Sequence, residues 1–148
     1  MLVAEISAAI DAAGTASVFY VSEGIFVTSP TDTPANTAFI PSMMEPGSIG
    51  IHTFSDRSTS GSTKLETGEM VLANADGQYD AWIDYSFDGR SIIIRDGEPG
   101  TAYPGSWTTV FRGTMESVDA DWMKIIIRLK DKQFIFSRPL LTTKYAGN

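Results

Sequence analysis

Any Ser-His-Asp triad or histidine-based zinc site in this 148-residue chain would have to be built on His52, its single histidine. His52 stands in Ile49-Gly50-Ile51-His52-Thr53-Phe54, where strand alternation sets it on the face opposite Ile49, Ile51 and Thr53. A half-exposed strand histidine is the reading this pattern favours. Neither a Gly-x-Ser-x-Gly elbow nor a His-Glu-x-x-His motif accompanies it. Cysteine is absent, which removes disulfides, thiolate metal sites and cysteine nucleophiles together.

Carboxylates are the next candidates. Asp76, Asp80, Asp84 and Asp88 recur every four residues, and on a continuous helix they would form one stripe of like charge that a cation could relieve. Calcium loops instead gather their oxygen ligands within about a dozen residues around a bend glycine, so a solvated helix face is favoured here. Glu66, Glu69 and Glu116 could supply the two carboxyl groups of a glycosidase, with Trp107 and Trp122 as sugar platforms. Almost any chain of this length offers such a pair, and tryptophans serve more often as core or interface anchors.

The elements that must position these residues read as β-structure, with Gly and Pro punctuating short runs of Val, Ile, Phe, Tyr, Thr and Trp. Leu2, Ala4, Ile6, Ala8 and Ile10 alternate with Glu5, Ser7, Ala9 and Asp11 as a strand would, although alanine-rich residues 8–13 could also form a helical turn. Residues 15–21 and 25–28 flank Ser22-Glu23-Gly24 as a hairpin would. Further strands are expected at 49–54, 63–74, 91–95 and 107–118, with a loop or turn at Ser55 to Ser62. Met123, Ile125, Ile127 and Leu129 alternate with Lys124, Ile126, Arg128 and Lys130, so one face of that strand is core. Asp119-Ala120-Asp121 joins the last two as a hairpin, and Lys132 to Ser137 offers one more short strand. Tyr79, Trp82 and Ile83 fall at i, i+3, i+4 behind Asp76 as N-cap, which predicts one short helix at about residues 77–86. The fold expected is mainly β: an antiparallel sandwich or small barrel, one domain over 1–148, with a core that includes Trp82, Phe111, Ile125, Ile127 and Leu129.

Two surface features suggest contacts. Pro30, Pro34, Pro41 and Pro46 bar the stretch from Ser29 to Gly47 from a central strand, leaving an ordered loop or an edge crossing. Its Phe39, Ile40, Met43 and Met44 could touch a neighbouring subunit or fold back over the chain's own sheet. Charge is also uneven. Residues 123–148 hold Lys124, Arg128, Lys130, Lys132, Arg138 and Lys144 against Asp131, whereas the rest of the chain is strongly acidic, giving −7 overall. Lys124, Arg128 and Lys130 could therefore meet an acidic neighbour, or simply guard a solvated edge. The acidic balance argues against a nucleic-acid partner. The N-terminus lacks a basic n-region, and no window reaches ~18 apolar residues, so a cytosolic start without membrane insertion is expected.

Pro30-Thr31-Asp32-Thr33-Pro34-Ala35-Asn36-Thr37, the run from Gly68 to Gly77 (Gly-Glu-Met-Val-Leu-Ala-Asn-Ala-Asp-Gly) and the run from Tyr79 to Arg90 resemble the N-terminal region of a family of phage and prophage virion proteins from proteobacteria. Gly113 to Glu116, Ile127 to Lys132 and Arg138 to Gly147 are similar to the same family, so the resemblance covers most of the chain. It implies the leading domain of a longer tail protein of the tail tip or baseplate, with no catalytic motif, cofactor or metal. Its partners would be other phage tail proteins and further copies in a ring or hub, located in the virion and, during assembly, in the host cytoplasm. The function expected is that of a non-enzymatic virion structural protein. The alternative is a carbohydrate-binding or cell-wall-degrading module of a phage tail, using Trp107, Trp122 and Tyr103. A cytosolic ligand-binding barrel is a third reading, disfavoured by how completely the expected core would fill.

Overall fold

The computed structural model describes residues 1–47, 49–52 and 64–130, with backbone alone for 49–52 and 64–67. Seven strands form one antiparallel sheet curled into a half-barrel. They are β1 (Leu2–Ala9), β2 (Ala16–Ser22), β5 (Met43–Glu45), β8 (Glu69–Ala73), β9 (Ser91–Asp96), β10 (Thr108–Ala120) and β11 (Lys124–Lys130). Their spatial order is β2-β1-β9-β10-β11-β8-β5. Two short ladders accompany the sheet: β3 (Phe26–Val27) with β4 (Ala38–Phe39), and β6 (Ile49–His52) with β7 (Lys64–Thr67). The mainly β expectation, as a small open barrel, is what the structure shows.

The concave face holds the main core. Ala4, Ile6 and Ala8 of β1, Ile92 and Ile94 of β9, Phe111 and Met115 of β10, Ile125, Ile127 and Leu129 of β11, and Met70 and Leu72 of β8 all point into it. Register explains the agreement, because cross-strand partners share a face: Ile6 lies opposite Ile92, Ala4 opposite Ile94, and Ile127 opposite Met70. Met123 departs from the expected row and is half-exposed, since it precedes β11 in the turn where Asp121 N–H donates to the Lys124 carbonyl (2.8 Å). Phe111 lies across Gly113, where a Cβ would sit 2.3 Å from its ring.

A second, aromatic core sits on the opposite face of β1 and β9. Val3, Phe26, Phe39, Tyr103 and Trp107 are buried there, with ring centroids 4.9–5.8 Å apart. The hairpin expected around Ser22-Glu23-Gly24 does not form. β2 zips along β1 from Val3–Ser22 to Ala9–Ala16, while β3 swings away to pair with β4 and carry Phe26 into this second core. Thr63 to Asn74 is likewise broken at Gly68 into β7 and β8, which belong to different ladders. The expected loop at Ser55 to Ser62 and strand at Lys132 to Ser137 lie outside the described residues.

The predicted helix is a single 3₁₀ segment, Asp80–Asp84. Tyr79, Trp82 and Tyr85 recur every three residues and pack inward, as three residues per turn requires, whereas Ile83 faces solvent at 75% exposure. Asp76 does not cap it. The N-cap is Tyr79, and the buried Asn74 ties the entry to it: its Oδ1 accepts from Tyr79 N–H at 2.9 Å, and its Nδ2 donates to Asp80 Oδ1 at 2.9 Å.

Ile127→Asp, which would bury an unpaired carboxylate between β10 and β8, should cost several kcal/mol and abolish cooperative unfolding at 25 °C. Lys124→Asp, on the exposed face of the same strand, should leave the urea midpoint nearly unchanged. The comparison is read from two urea titrations followed by tryptophan fluorescence.

Candidate functional site

A buried polar cluster joins the sheet to its second core. Glu5 on β1 and Arg95 on β9 share the aromatic face because Val3 pairs with Arg95 and Glu5 with Ile93. Arg95 Nη1 donates to Glu5 Oε1 and also, at 2.9 Å, to the hydroxyl of Tyr103, which in turn donates to Glu5. The guanidinium also lies 5.4 Å from the centre of the Tyr103 ring. Burial and the neighbouring Glu5 carboxylate push the Tyr103 phenol well above its ordinary range, so it stays protonated as a donor. A tyrosine held in this state is poorly suited to act as a base, and the cluster reads as a lock. The main chain of Tyr103 extends that lock to the proline-rich arm: its N–H donates to Asp32 Oδ1 (3.0 Å), and its carbonyl accepts from Thr33 N–H (3.2 Å).

The expected chemical sites are placed separately. His52 lies on β6 opposite Lys64 in backbone register. Asp76, Asp80, Asp84 and Asp88 do not stack, because the helix is too short and too tightly wound to repeat every four residues. Glu69 is held by Arg128 at 3.0 Å, and Glu116 lies 4.0 Å from Lys130. Of the proposed sugar platforms, Trp107 and Tyr103 are buried in the aromatic core, which leaves Trp122 exposed at the β10–β11 turn.

The expected contact residues divide. Phe39 and Met43 are buried in the chain's own two cores, so these two anchor the arm, while Ile40 and Met44 face outward. Lys124 is exposed, whereas Arg128 bridges Glu69 and Asp119 (3.3 Å) across β11. The hydrogen bond that Arg128 Nε donates to Glu69 raises the guanidinium further above its usual value.

Besides the Glu5–Arg95–Tyr103 cluster, sequence reasoning missed an open groove of about 480 Å³ between the 3₁₀ segment and the far end of β10. Trp82, Ile83, Tyr85 and Phe87 form one wall and Glu116 to Ala120 the other. Its origin is topological. The β9–β10 ladder ends at Ser91–Thr114, and beyond it single bridges Ala9–Ser86 and Asp88–Met115 hold the 86–88 segment between β1 and β10. Among the described residues, β10 continues to Ala120 with β11 on one side alone. Ser117 belongs to this wall, and its hydroxyl is buried without a hydrogen-bond partner among the described residues. The strand excess of β10 over β9, thirteen residues against six, is the signal that marks it.

No family model and no curated protein matches the sequence. Among solved structures, the fold is similar to a chain in the virion of a native gene transfer agent particle, with a TM-score of 0.54 at 15% identity. The match covers 97% of this chain and 44% of that one, so this chain spans less than half the length of its neighbour. The likeness is one of fold.

Glu5→Leu leaves the Arg95 guanidinium buried without its carboxylate and should cost about 3–5 kcal/mol, as should Arg95→Met through the converse loss. Removing both together as Glu5→Leu/Arg95→Met should cost less than either single change. A double-mutant cycle in urea checks this, and additive losses would mean that the pair is not coupled.

Proposed function

We propose that this chain is a structural protein of a phage or phage-like virion, a non-enzymatic assembly module of the tail tip or baseplate. The observation that carries the reading is the fold shared along almost the whole chain with a chain of a gene transfer agent virion. The resemblance of Pro30 to Thr37, Gly68 to Gly77 and Tyr79 to Arg90 to phage and prophage virion proteins supports it independently. The architecture fits such work. Among the described residues, the charged side chains are paired or solvated, and the notable exposed features are surfaces for contact: the groove beside β10 and outward Ile40, Met44, Ile83 and Trp122. Its partners would be other tail proteins and further copies of the same chain.

Particles released by the strain that carries this gene provide the test, after density-gradient purification and immunogold labelling against the chain. The chain should migrate with the capsid and tail proteins, with gold at the tail end distal to the capsid. Recovery only as free protein at the top of a gradient that contains intact particles would refute the reading.

A further inference from the structure

We infer that the outer face of the β3–β4 ladder docks a basic protein partner, a different chain of the same particle, an inference that rests on the virion reading above. The ladder builds the surface. Phe26 pairs with Phe39 and both rings are buried in the aromatic core, so alternation turns Val27 and its partner Ala38 outward, together with Ile25 and Ile40 on the other side of that pair. Ile25 is 85% exposed and Val27 58%, and Ala38 and Ile40 are exposed beside them. Met44, further along the same arm, also faces outward. Single exposed aliphatics are ordinary, but four on one two-stranded face form a contiguous patch of the kind that marks a contact site. The patch is also held in place. Ile40 N–H donates to the Tyr20 carbonyl (2.9 Å) and its carbonyl accepts from Ser22 N–H (2.8 Å), so little order remains to be lost on docking.

Charge selects the occupant. Residues 1–56 contain six acids and no Lys or Arg. Glu5, Asp11 and Asp32 are used by Arg95, Thr15 N–H and Tyr103 N–H. Glu23 and Glu45 stay exposed, the first two residues from Ile25 and the second next to Met44. Exposed Glu98 lies on the same side as Glu23, because Met1 and Leu2 join the two segments: Gly97 N–H donates to the Met1 carbonyl (3.2 Å) and Glu23 N–H to the Leu2 carbonyl (3.1 Å). The Met1 amine there is held by Asp96 Oδ1 at 3.1 Å. A standard protein interface takes about 800 Å² from each partner, more than four side chains provide, so the patch serves as its centre and these carboxylates as its rim. The matching surface is apolar in the middle, with Lys or Arg around it.

An anionic membrane or a nucleic acid would be repelled by the same carboxylates. A second copy is a poor match as well. The chain carries −7 overall, and Arg128 and Lys130 on β11 already meet Glu69, Asp119 and Glu116 of their own chain.

Photocross-linking in assembled particles tests this. A chain with a benzophenone amino acid in place of Ile25 is supplied to the strain instead of the native copy, beside a control with the same group in place of the exposed Gln78. After irradiation of gradient-purified particles, position 25 should cross-link to a different particle protein about tenfold more than position 78, at a site flanked by Lys or Arg in that protein. Adding Glu23→Lys/Glu45→Lys should lower the yield about tenfold with an unchanged melting curve. A yield no greater than the control, a second copy as the product, or indifference to the charge reversal would each overturn the proposal. Absence of the native chain from the particles would defeat the virion reading and the proposal together, whereas its presence without the cross-link defeats the proposal alone. Should the benzophenone variants fail to fold, incorporation of the Glu23→Lys/Glu45→Lys chain decides: a fall of about tenfold against wild type supports the proposal, and wild-type incorporation refutes it.

Discussion

Strands β1 and β9 are covered on both faces, and most of the architecture follows from that constraint. A half-barrel has one concave side to fill, which Ala4, Ile6, Ala8, Ile92 and Ile94 do. The opposite side of these strands carries Val3, Glu5, Ile93 and Arg95, a mixture that water alone could have solvated. Instead, Phe26, Phe39, Tyr103 and Trp107 close over it. Once covered, Arg95 must find a carboxylate inside the protein, and Glu5 is the residue that the β1–β9 register delivers.

The cover comes from segments with little regular structure of their own. The arm between β3 and β5 and the loop between β9 and β10 are held by the Asp32 bond to Tyr103 and by close packing of rings. Trp107 rests where Gly97 leaves room, since a Cβ there would lie 2.3 Å from the indole. The arm then returns as β5 at the far edge of the sheet, so it touches both cores within five residues through Phe39 and Met43. Among the described residues, the aromatic cover lies on one side of β1 and β9 and the open groove lies beside the far end of β10.

The alternation of β11 and the first half of β1 was legible because a single buried face imposes a period of two on adjacent residues. The proline spacing likewise told that residues 29–47 could reach only an edge. The 3₁₀ segment was misread as longer and wider because Tyr79 and Trp82 satisfy both three and 3.6 residues per turn, and only Ile83 separates the two periods. Glu5, Arg95 and Tyr103 were invisible as a group, since 90 and 98 residues separate the carboxylate from its partners. The groove was equally hidden, because a strand's free edge is a property of its neighbours and not of its own residues.

Native-state hydrogen exchange across a series of low denaturant concentrations tests most directly whether the arm and the double-sided sheet form one cooperative unit. Thr28 and Ile40 N–H, bonded to the Thr37 and Tyr20 carbonyls, report on the arm, and the β1–β9 ladder amides report on the sheet. Both groups should open with the same free energy and the same denaturant dependence. Arm amides that exchange through a separate, low-energy opening while β1 and β9 stay protected would contradict the account.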